Sequence, residues 1–119
     1  MTIKDKANIT HILECIDVIP TYSAYLQQGQ EWHEVMVVKE ATLRTLHTMA
    51  ESCTRLSPEV KAMAGEIPWQ KIAAFRHILA HDYLGDINFD TISAVIDSQL
   101  LTLKKALTRI YKEKYGTEF

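Results

Sequence analysis

Apolar residues in this chain recur at steps of three and four, and that spacing limits the fold more than any other feature. Ile9, Ile12, Ile16 and Ile19 draw one stripe along a helix over about residues 5–28. A second helix, over about 31–55, carries Val35, Val38, Leu46, Met49, Cys53 and Leu56 on one face, with Thr42 filling the gap. Near the end of the chain Ile92, Ile96, Leu100, Leu103, Leu107 and Ile110 keep a steady apolar line. No window alternates with period two between hairpin turns, so strands are not expected.

Glycine and proline are sparse and act as punctuation: Gly29, Pro58, Gly65, Pro68, Gly85 and Gly116 divide the helical blocks. Pro20 removes an N–H and crowds the preceding turn, which predicts a kink or break in the first block. Ser57 followed by Pro58 reads as an N-cap and first helical residue, opening a short helix that stops at Gly65. Pro68 opens the next block in the same way, with Ile72, Phe75 and Leu79 as its buried side. Asn88 or Asp90 caps the last helix. The pattern predicts an all-α fold, an up-and-down bundle of four main helices plus a short connecting helix, in a single domain over 1–119.

The 119 residues suffice for one core without metal or disulfides. Cys15 and Cys53 lie far apart with no CxxC spacing, which fits reduced structural thiols. No apolar run reaches signal-peptide or membrane-span length, so the expected setting is soluble and cytoplasmic, with no membrane contact. The net charge of −2 excludes a generally basic nucleic-acid binder. RNA contact would have to come from a local patch or from a cleft shared by two copies.

Chemistry concentrates in the segment 76–83, which holds Arg76, His77, His81, Asp82 and Tyr83. Arginine offers a permanently charged fork of donors for phosphate oxygens. Histidine can accept and return a proton near neutral pH. A phosphate clamp and a proton shuttle suffice to cleave RNA through its own 2′-hydroxyl. On a regular helix Arg76 and Tyr83 fall nearly in line, whereas His81 lies about 140° from Arg76. Either the helix loosens near its end or the two residues meet across a symmetric dimer; the second option also concentrates positive charge.

Arg76-xxxx-His81-x-Tyr83 matches the R-x4-6-H-x-Y signature of HEPN domains. With Ile67-Pro68-Trp69 before it and Gly85 after it, the segment resembles the HepT-like toxins. The stretch 41–56, ATLRTLHTMAESCTRL, is similar to that family's second helix, and the likeness spans about 35–96. The resemblance implies a single HEPN domain that acts as the toxin of a type VII-like toxin–antitoxin pair. It implies a homodimeric RNA endonuclease with Arg76 and His81 catalytic. It also implies a minimal nucleotidyltransferase antitoxin that silences the toxin by adenylylating Tyr83. His77, Asp82 and Glu51 are expected as supporting residues. Two departures from the family pattern stand out, one on the motif helix and one on the second helix: His77 stands where asparagine often follows the arginine. Thr45 and His47 stand where asparagine and glutamate are expected in the second helix.

Other readings attach to the same residues. A non-catalytic HEPN module that binds nucleotide or a partner protein is the alternative, though an inactive descendant would be expected to lose Arg76 or His81. His77 and His81, spaced i, i+4, could begin a metal site, but a closed site needs three or four ligands and only Asp82 or Asp86 stand near. No metal and no cofactor are therefore expected. His11, His33 and His47 read as surface or boundary residues on separate helices. Lys104, Lys105, Arg109, Lys112 and Lys114 read as the solvated face of the last helix.

Overall fold

The computed structural model describes residues 2–80 and 87–116. Helix α1 spans Ile3–Val18, and a 3₁₀ stretch, Ile19–Tyr25, continues from it with Pro20 at its start. The break expected at Pro20 is thus a change of helix type, and the stretch ends short of residue 28. A brief 3₁₀ turn, Trp32–Glu34, precedes α2 (Met36–Thr54). Then come α3 (Pro58–Met63), α4 (Trp69–Ala80) and α5 (Phe89–Ala94). A π-helical stretch, Val95–Gln99, joins α5 to α6 (Leu100–Tyr115). Among the described residues there is no strand, and the fold is all-α and HEPN-like.

Local chemistry sets most helix ends. Thr2 and Asp5 form a capping box at the start of α1. Ser57 caps α3 with Pro58 behind it, and Asn88, rather than Asp90, caps α5 by accepting from the N–H groups of Asp90 and Thr91. Gly116 ends α6 in the left-handed conformation, φ 68°, where a side chain would be strained, and its N–H donates to the Lys112 carbonyl.

Helix α2 lies between α1 and α4, and α6 packs against α1. Ile9, Ile12, Leu13, Leu46, Val60, Leu107 and Ile110 are fully buried between them. Thr42 joins this interior as its position on the α2 stripe requires, whereas Val35 is half-buried at the helix start. Asp5 is also buried. Its carboxylate accepts from the Thr2 N–H at 3.1 Å and the Ser57 N–H at 2.9 Å, so one side chain pins the starts of both α1 and α3. Burial pushes its pKa upward, but these hydrogen bonds outweigh burial and hold it below the usual carboxylate value.

Helix α4 departs from the expected pattern. Ile72, Phe75 and Leu79 pack against the core but are only half-buried, and no residue of α4 is fully buried. The reason is an apolar cleft of about 450 Å³ between α4 and the α5–α6 helix, lined among others by Ile72, Phe75, Ile78, Val95, Leu100 and Leu103. The side of α4 that faces this cleft lacks a cover within the described residues.

Candidate functional site

The motif helix is anchored at its first residue. Trp69 donates its indole N–H to the carbonyls of Lys61 (3.2 Å) and Ala64 (3.1 Å), closing the end of α3 and fixing where α4 begins. Trp69 is therefore a half-buried structural clasp. Two turns along, Arg76 faces α2.

There its Nη2 donates to Glu51 Oε1 at 3.3 Å, with the two side chains 40% and 30% exposed. Glu51 also lies 3.9 Å from the Arg55 guanidinium on its own helix. The hydrogen bond from Arg76, aided by the charges of His47 and Arg55, holds the Glu51 carboxyl below its ordinary pKa. Glu51 is thus an ionised brace for Arg76. A guanidinium has five donors, and among the described residues this contact with Glu51 uses one of its nitrogens.

Among the described residues, the buried side-chain nitrogens or oxygens without a hydrogen bond are His47 Nε2 and Arg76 Nε. A buried donor left unsatisfied costs about 1–3 kcal/mol, so such groups are rare and call for an explanation. His47 and Glu51 are four residues apart on α2, hence neighbours on one face of that helix. His47 is half-buried, a boundary position as expected, and its charge acts on Glu51.

Of the other expected site residues, His77 is exposed on α4, turned away from Arg76 by the helical step. His81, Asp82 and Tyr83 lie outside the described residues, as do Gly85 and Asp86. Among the described residues no three histidine, cysteine or acidic side chains gather as they would around a metal ion.

The remaining histidines have local roles that spacing did not disclose. His11 Nδ1 lies 2.7 Å from Ser52 Oγ, and its Nε2 lies 3.4 Å from Cys15 Sγ. This resembles a nucleophile and base, but burial raises the Cys15 thiol and pushes Cys53 up to about 12, which favours inert thiols. His33 stacks on Phe89 at 4.6 Å, with Trp32 edge-on to both and its indole N–H donating to Ser93 at 2.9 Å. Of the basic residues on α6, Lys104 pairs with Asp17 at 2.8 Å and Arg109 with Glu66 at 3.0 Å, as on a solvated face.

The comparison with known proteins places this arrangement. The family model described as Ribonuclease HepT-like matches residues 12–110, covering α2, α4 and the motif segment. The chain belongs to the ribonuclease HepT-like family. Curated relatives of this HepT-like chain include "Putative RNase MJ1216" of Methanocaldococcus jannaschii, 24% identical over 95% of the chain and 92% of the relative. "Putative RNase TTE0752" of Caldanaerobacter subterraneus subsp. tengcongensis is 28% identical over 66% of the chain and 69% of the relative. A second M. jannaschii protein, "Putative RNase MJ0125", is 23% identical over 91% of each. No solved structure matches the chain. Among the described residues no helix is long and apolar enough to cross a membrane.

Proposed function

We propose that this HepT-like chain is a metal-independent RNA endonuclease, a single HEPN domain acting in the cytoplasm as the toxin of a toxin–antitoxin pair. The observation that carries the reading is Arg76. It is braced by an ionised Glu51, keeps its Nε without a partner among the described residues, and stands on the helix that precedes His81 in the chain. In the reaction the RNA 2′-oxygen attacks the adjacent phosphorus while His81 takes its proton. Arg76 stabilises the charge that develops on the non-bridging oxygens. The bond to the 5′-oxygen then breaks and that oxygen receives a proton. The products end in a 2′,3′-cyclic phosphate and a free 5′-hydroxyl.

The active form in this proposal is a homodimer, with the apolar cleft beside α4 covered by a second copy. The cleft adjoins the motif helix, and its partly covered side chains need an apolar partner. Pairing also offers His81 of one protomer a route to Arg76 of the other. The same reading assigns Tyr83 as the residue that a partner nucleotidyltransferase adenylylates, with His77 and Asp82 as support around the motif.

The deciding experiment incubates a defined RNA with wild type and His81→Ala, in EDTA and then with added Mg²⁺. Wild type should cut in EDTA and leave cyclic-phosphate ends, with His81→Ala slower by about 10²–10⁴-fold. Activity that EDTA abolishes and Mg²⁺ restores would refute the mechanism. A wild type that binds RNA without cutting it would leave a binding module.

A further inference from the structure

The cations around Glu51 do not end at Arg76. Glu51 Oε1 accepts from Arg76 Nη2 at 3.3 Å, and its Oε2 lies 3.9 Å from Arg55 Nη2. One carboxylate therefore stands between two guanidinium groups, one from α4 and one from the end of α2. We infer that Arg55 is a further RNA-binding residue, which contacts the phosphate next to the one at Arg76. The inference rests on the ribonuclease reading for the identity of the strand, and it extends that reading to a residue outside the motif.

The Arg55 side chain is open to solvent, 67% exposed, so a strand passing over α2 can reach it without any rearrangement of the core. Its approach to Glu51 is too long for a hydrogen bond, and among the described residues none of its N–H groups has a hydrogen-bond acceptor. An exposed pair of this kind, one turn apart on a helix, holds its members weakly, so an incoming anion displaces little. The charge count points the same way. Two guanidinium groups against one ionised carboxylate leave a local excess of positive charge, on a chain whose net charge is −2.

The chemistry of the two arginines selects phosphate. A guanidinium fork matches the paired oxygens of a phosphodiester, and its charge persists at all working pH values. Glu51 holds the two groups on separate oxygens, so each meets its own phosphate and consecutive links of one strand bridge them. Arg76 then serves the link that is cut, and Arg55 holds the neighbouring link in register.

The test measures binding of a 2′-O-methyl oligoribonucleotide, which offers phosphates but has no 2′-hydroxyl to react, across a series of salt concentrations. Arg55→Gln should weaken binding about five- to tenfold at low salt and make the slope of log K against log salt shallower by about 0.7, the loss of one phosphate contact on a single strand. Arg55→Lys keeps the charge and should keep most of the slope. Lys105→Gln removes the same charge from the exposed face of α6 and should leave the slope as in wild type. A purely structural role for Arg55 would not move the slope, and circular dichroism of each variant confirms that the helices are intact. A folded Arg55→Gln with wild-type affinity and slope would overturn the inference. So would an equal change in Lys105→Gln, or a wild type that does not bind the oligonucleotide at low salt. The two readings fail separately. Arg55-dependent binding in a protein that cuts no RNA upholds the contact and removes the ribonuclease. RNA cleavage with oligonucleotide binding indifferent to Arg55 does the reverse.

Discussion

Substituting Ile78 by glutamate tests the proposed pairing without disturbing the monomer. Ile78 lies on α4, lines the apolar cleft and is 53% exposed. Complete burial of an isoleucine contributes about 1.5–3 kcal/mol, so covering the exposed half contributes about 0.8–1.5 kcal/mol. A two-fold interface uses the same residue twice, which brings the loss on substitution to about 1.5–3 kcal/mol. That corresponds to a roughly ten- to hundredfold rise in the dimer dissociation constant, and desolvation of the new carboxylate adds to it. The monomer should change by no more than about 0.5 kcal/mol, because the position is exposed and glutamate is a good helix former. Sedimentation velocity across a concentration series measures the dissociation constant, and urea denaturation at low concentration measures the monomer. Cleavage should fall in step with the dimer fraction. A dimer of unchanged affinity in Ile78→Glu would refute the assignment of the cleft. A stable monomer that cuts RNA at the wild-type rate would refute the need for pairing.

Two further outcomes follow from single side chains. Asp5→Ala removes the acceptor for both the Thr2 and Ser57 N–H groups and should destabilise the fold by about 2–4 kcal/mol at pH 7. Because the folded-state pKa of Asp5 is depressed, its stabilisation is present above the unfolded value near 3.9 and is lost as pH falls through the folded value. The gap between wild type and variant in urea denaturation should therefore be full at neutral pH and shrink below about pH 4; a gap that widens in acid would contradict it. In the proposed silencing the Tyr83 phenolic oxygen is the acceptor, so Tyr83→Phe should leave a protein that a nucleotidyltransferase partner cannot adenylylate. Mass spectrometry after incubation with that partner and ATP checks this, and equal labelling of wild type and variant would place the modification elsewhere.

The residue spacing alone determined where the helices lie. A helix needs only neighbours three and four apart, so the isoleucine stripe of α1 and the apolar line of α6 announce themselves locally. The break at Pro20 and the cap at Ser57 are equally local, and the motif 76–83 belongs to one short stretch. Other features required the helices to meet. Glu51 is 25 residues from Arg76, and only the packing of α2 on α4 makes it a brace. Asp5 looks like an ordinary first-turn acid until Ser57, 52 residues away, donates to it. The apolar side of α4 resembles any core stripe in the sequence; its half-covered state reflects the width of the cleft to α5 and α6. The π-helical stretch Val95–Gln99 was invisible to a 3.6-residue period, because one added residue per turn shifts the buried face by about a quarter turn. Periodicity reports which face of a helix is apolar. The distance between faces, and therefore which polar groups meet in the interior, is set only when side chains from different helices compete for the same space.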